Sequence, residues 1–92
     1  MKQVIIDFTN CKSLLDLHTE LAQKLDFPDF YGQNLDALWD CLTGFIEVPV
    51  NVSFKSINTL PKDLQQYALQ VFEVFVDAEK KYNEVHPLLC EA

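Results

Sequence analysis

Ninety-two residues are enough for one hydrophobic core and too few for two, so a single domain over residues 1–92 is expected. Nearly half the chain (49%) is apolar, 12% is aromatic and there are two glycines, a composition that excludes a disordered or low-complexity segment. Fourteen acidic side chains face seven lysines and no arginine, and the net charge of -7 argues against direct binding to nucleic acid or an anionic membrane and in favour of a basic partner.

The start, Met1 to Asp7, holds three consecutive apolar residues before a charge, far short of a signal-peptide core or a membrane span, and the expected location is the cytoplasm. Val4–Phe8 is a β-branched and aromatic run of the kind that suits a strand covered on both faces. Ser13 with Asp16 resembles a capping box, and Leu14, Leu17, Leu21 and Leu25 follow at helical spacing, which predicts a first helix ending near Asp26. The stretch from Asp26 to Gln33 carries Pro28 and Gly32 among Phe27, Phe30 and Tyr31 and reads as an aromatic loop. Asn34 can cap a short second helix that Gly44 terminates.

Val48, Val50, Val52 and Phe54 alternate with Pro49, Asn51 and Ser53, the period of a half-buried strand. An additional short helical turn fits Asn58 to Pro61. Pro61 then opens a long helix with the stripe Leu64, Ala68, Val71, Phe72 and Phe75, running to about Tyr82. Val85–Cys90 is a weaker final strand in which Pro87 suits an edge. Strands alternating with helices give an α/β fold with a three-stranded parallel sheet and three or four helices, its strand order left open. Cys11, Cys41 and Cys90 are odd in number and have no C-x-x-C spacing, so they read as reduced thiols.

Charge is unevenly placed. The thirty residues between Lys24 and Lys55 contain no base, yet hold Asp26, Asp29, Asp36, Asp40 and Glu47, which is -5 of the net -7. Such a block is either a solvated surface or a binding face. With Leu35 at zero and about 100° per residue, Leu38, Trp39 and Leu42 fall within about 60° of it as a core stripe, whereas Asp36, Asp40 and Thr43 share an arc from about 80° to 140°. Carboxylates at i and i+4 repel by a few tenths of a kcal/mol. Asp36 is favoured by the helix dipole in the first turn, but Asp40 gains nothing there. Paired acids, a hydroxyl and the nearby rings Phe30, Tyr31 and Phe45 therefore suggest a surface for a cationic cleft. Trp39, on the border of the two arcs, fits either core or contact, as do Phe30 and Tyr31. His18 and His86 read as structural or surface residues.

Paired carboxylates could also act as acid and base or as metal ligands. No His or Cys ligand pattern and no glycine-rich phosphate loop accompanies them, so neither catalysis, metal nor cofactor is expected.

The run Asp29-Phe30-Tyr31-Gly32-Gln33-Asn34-Leu35-Asp36-Ala37-Leu38-Trp39-Asp40-Cys41-Leu42-Thr43-Gly44 resembles the signature of the barstar family of ribonuclease inhibitors. Leu17-His18 upstream and Leu69-Gln70-Val71-Phe72 downstream extend the similarity over most of the chain. The resemblance implies a non-enzymatic inhibitor, monomeric when free, of a small basic extracellular-type ribonuclease. It implies that Asp40 occupies the enzyme's phosphate site, that Asp36 pairs with a nearby base, and that Phe30, Tyr31, Trp39, Thr43, Gly44 and Phe45 are contacts. Phe30 and Phe45 replace a tyrosine and a tryptophan of the family, and Val74 stands where the family has a further acidic contact. An alternative keeps the face and changes the partner: an immunity or regulatory protein for a different nuclease toxin or another basic protein.

Overall fold

A computed structural model describes residues 2–29 and 31–90. Three parallel strands form one sheet in the order β1-β2-β3: β1 is Lys2–Asp7, β2 is Val50–Lys55 and β3 is Val85–Cys90. Between β1 and β2 run α1 (Leu14–Leu25) and α2 (Leu35–Gly44), and between β2 and β3 a 3-10 turn (Ile57–Thr59) and α3 (Lys62–Tyr82). The expected α/β architecture is thus present, and the open question of strand order is answered: β2 is central.

The central position of β2 explains where it starts. It donates to neighbours on both sides, and Pro49 has no N–H to give, so the strand begins at Val50 rather than at Val48. Pro87 is tolerated in β3 because that strand is an edge. Val52 pairs with Val4 on one side and Pro87 on the other, which sets the register.

Side chains alternate across the sheet. Val4, Ile6, Val50, Val52, Phe54 and Val85 are buried on the helix-covered face. The other face is open, and here the expectation that the first strand is covered on both sides fails: Ile5 is 50% exposed, in register with Ser53 and with Leu88, itself 59% exposed. Parallel strands alone did not guarantee two helical layers, because three helices cover one face of so small a sheet.

Helix ends follow local chemistry. The Ser13 side chain accepts the Asp16 N–H at 3.2 Å, while Asp16 Oδ2 accepts from the Lys12 N–H at 3.0 Å, one residue earlier than in a standard capping box. Leu17, His18, Leu21 and Leu25 form the buried stripe of α1; Leu14, expected within it, is 48% exposed because it is the first helical residue and overshoots the core. Asp26 and Asn83 close α1 and α3 in the left-handed conformation, at φ 57° and 54°. The turn expected at Asn58–Pro61 forms slightly earlier, and Pro61 stands just ahead of the first turn of α3.

Phe54 is the centre of the core. Its ring lies 4.9 Å from Phe75 and 5.5 Å from Phe72, both edge-on, and 6.2 Å from Phe8. Phe54→Ala should therefore cost about 3–5 kcal/mol in urea unfolding, whereas Ile5→Thr on the open face should stay within about 0.5 kcal/mol of wild type.

Candidate functional site

The acidic segment is carried by α2 and the loop before it. Ten residues cannot sustain a helix in water by propensity alone, so its ends and its buried face must hold it. Asn34 accepts the Ala37 N–H through Oδ1 at 2.7 Å, as the sequence suggested. Leu38, Cys41 and Leu42 are the buried residues, and α2 packs against α3. Cys41 widens the core arc away from Leu35, which leaves Leu35 and Trp39 at its edge, half-buried. The ambiguity over Trp39 is resolved by this shift: one side of the indole packs on the core, and part remains open.

Asp36 and Asp40 are exposed one helical turn apart. Among the described residues no ion pair or hydrogen bond engages either side-chain carboxylate. The lysines that pair with carboxylates do so elsewhere, Lys2 with Glu47 at 3.4 Å and Lys24 with Glu20 at 2.8 Å. Of the five acids in the base-free window, Glu47 alone is ion-paired among the described residues.

Thr43 is half-buried and its hydroxyl donates to the Trp39 carbonyl at 2.8 Å. Its proton is thus spent within the helix, leaving the oxygen as an acceptor. Gly44 is the last residue of α2, where the sequence placed the helix end, and Phe45 takes the cap position at φ -125°. A Cβ built at Gly44 would meet nothing within 4 Å, so the fold itself does not require glycine there. Phe45 is 57% exposed beside it. Phe30 lies outside the described residues.

Tyr31 belongs to a network that the sequence reading did not foresee. His18, 1% exposed, is flanked by two phenols: Nδ1 lies 2.6 Å from the Tyr31 hydroxyl and Nε2 2.8 Å from that of Tyr67. Burial lowers the imidazole pKa and so favours the neutral ring. A neutral ring has one N–H, so it donates to one tyrosine and accepts from the other. Burial likewise raises the pKa of Tyr31 and of Tyr67. The network ties α1, the aromatic loop and α3 together, with the Phe27 ring tilted against Tyr31 at 4.7 Å between centroids. A signal existed: His18 stands three residues before Leu21 and seven before Leu25, on the buried stripe itself.

One cation borders the acidic face. Lys81 Nζ lies 5.9 Å from the Trp39 ring centroid and 5.5 Å from that of Tyr82. The Cys11 and Cys41 thiols are poor nucleophiles in this setting. Burial, then the charges of Glu20, Asp16 and Asp7, push Cys11 up to about 11, and burial followed by the charge of Asp40 raises Cys41. All three cysteines are free. Neither histidine is hydrogen-bonded to a carboxylate of α2; His86 instead lies 2.7 Å from Glu79. No helix among the described residues is long and apolar enough to cross a membrane.

The family described as Barstar (barnase inhibitor) matches residues 1–91, and the chain belongs to that family. It is also 40% identical over 91 residues to a Bacillus subtilis (strain 168) protein described as "Putative ribonuclease inhibitor YrdF", an alignment covering 99% of this chain and 100% of that one.

The His18 network has a pH signature. Its folded pKa is depressed, so the stabilisation is fully present above the unfolded value of about 6.5 and is lost as pH falls below it. Urea unfolding between pH 7.5 and 5 should show wild type losing stability toward acid, with a flatter profile for His18→Gln over the same window.

Proposed function

We propose that this chain is a cytoplasmic inhibitor of a small basic, extracellular-type ribonuclease, and that it blocks the enzyme's active site with α2 and the preceding loop. The observation that carries the reading is the pair Asp36 and Asp40, exposed on one face with carboxylates that no other described residue engages. Membership of the barstar family and similarity to a protein described as a ribonuclease inhibitor support it.

The physics is that of a phosphate mimic. A ribonuclease must gather cationic groups around the scissile phosphate, and a fixed carboxylate can enter that cluster and accept charge-assisted hydrogen bonds from it. In this reading Asp40 takes the phosphate position, and Asp36 pairs with a base at the rim. The two like charges raise the energy of the free helix slightly, a cost that a cationic site relieves on docking. The chain's net charge of -7 speeds encounter with a basic enzyme and should do so less as salt rises.

Around the acids, Trp39 supplies a half-buried aromatic edge and the Thr43 oxygen a free acceptor. Tyr31 contributes through its ring, since its hydroxyl is held by His18. Gly44 leaves bare backbone where a side chain would fit without clash, which makes room for close approach by the partner. The inhibitor performs no chemistry and is a monomer when free.

Two substitutions separate this role from folding. Asp40→Ala should weaken inhibition of barnase, assayed on RNA, by at least about 2 kcal/mol or some thirtyfold, with an unchanged melt. Gly44→Ala should leave the melt unchanged or raise it, because alanine is the better helix residue by up to about 1 kcal/mol, and yet reduce inhibition. Equal potency of Asp40→Ala and wild type would refute the mimic.

A further inference from the structure

Beyond the C-terminal end of α2 the surface drops into a cleft of about 200 Å³. Its apolar walls are Leu42 of α2, Ile46 and Val48 of the segment leading to β2, and Ala78 of α3. Thr43 and Gly44 also line it, so the cleft continues the edge of α2 on which the proposed partner face lies. It is smaller than the roughly 300–1,000 Å³ of sites for independent small ligands, which suits a single inserted side chain.

The rim decides which one. Glu84, between α3 and β3, lines the cleft, is exposed, and its carboxylate has no ion pair or hydrogen bond with any other described residue. Tyr82, which also lines the rim, already carries the Lys81 ammonium 5.5 Å from its centroid. A partner that covered this rim with hydrocarbon alone would strip water from Glu84 and give it nothing in return, leaving a desolvated charge unpaired. A long cationic side chain avoids that cost, because its methylene stem can cover the apolar walls while its head meets the carboxylate.

We infer that this cleft is a subsite for one lysine or arginine side chain of the partner nuclease, with the stem against Leu42, Ile46, Val48 and Ala78 and the cation at Glu84. The inference rests on the proposed function, because it takes the occupant from the same basic enzyme. It also extends the interface: the anionic contacts are not confined to Asp36 and Asp40 but resume past the end of α2.

Barnase is the probe. Wild type, Asp40→Ala, Glu84→Gln and Glu84→Lys are titrated as inhibitors, with thermal melts as the folding control. Glu84→Gln should raise Ki about tenfold and Glu84→Lys further, without change in the melts. Absence of inhibition by wild type, or full potency of Asp40→Ala, would overturn the proposed function and this subsite with it. Loss of potency in Asp40→Ala together with full potency in Glu84→Lys would overturn the subsite alone. A second measurement needs no enzyme: agmatine added to the wild-type chain should shift the amide NMR signals of Val48 and Val85, and should not do so in Glu84→Gln. An equal response to pentan-1-ol, or an undiminished response to agmatine in the variant, would make the cleft merely apolar and defeat the inference.

Discussion

The stripe of Leu38, Cys41 and Leu42 against α3 is what gives the acidic face its direction. A ten-residue helix has little stability of its own, and burying three side chains on one side both holds it and fixes its rotation. Once that rotation is fixed, Asp36 and Asp40 have no route inward. The Asn34 cap sets the start of the helix and hence the turn on which each carboxylate falls. The same short run thus encodes an apolar anchor and an exposed acidic face, two sides of one short rod.

Electrostatics is organised by omission. With seven lysines against fourteen acids the chain could have paired many of its charges, yet its Lys–carboxylate bridges among the described residues join Lys2 to Glu47 and Lys24 to Glu20, away from the exposed side of α2. Lys81 lies over the rings of Trp39 and Tyr82 and is paired with no carboxylate among the described residues. The helix dipole favours Asp36 in the first turn, but no local interaction offsets the repulsion that Asp40 adds one turn later.

Much of this was legible in the residues. Period two over Val50, Val52 and Phe54, the Asn34 cap and the Leu64 to Phe75 stripe each report a one-dimensional regularity that survives folding unchanged. What could not be read depends on three-dimensional neighbours. Ile5 looks like a two-sided core residue until the helices are known to cover one face of the sheet. His18 joins residues 13 and 49 positions away, and no local pattern announces both phenols. Trp39 was ambiguous because a helical wheel cannot weigh Cys41, a small residue whose burial moves the centre of the apolar arc.

Trp39 has a further consequence. It is the chain's single tryptophan, half in the core and half open, with an ammonium group beside its ring. The protein therefore carries one built-in fluorophore at the border of the surface on which a visitor would settle, and its emission belongs to that border alone. Occupancy of the acidic helix can be followed by light without attaching a dye.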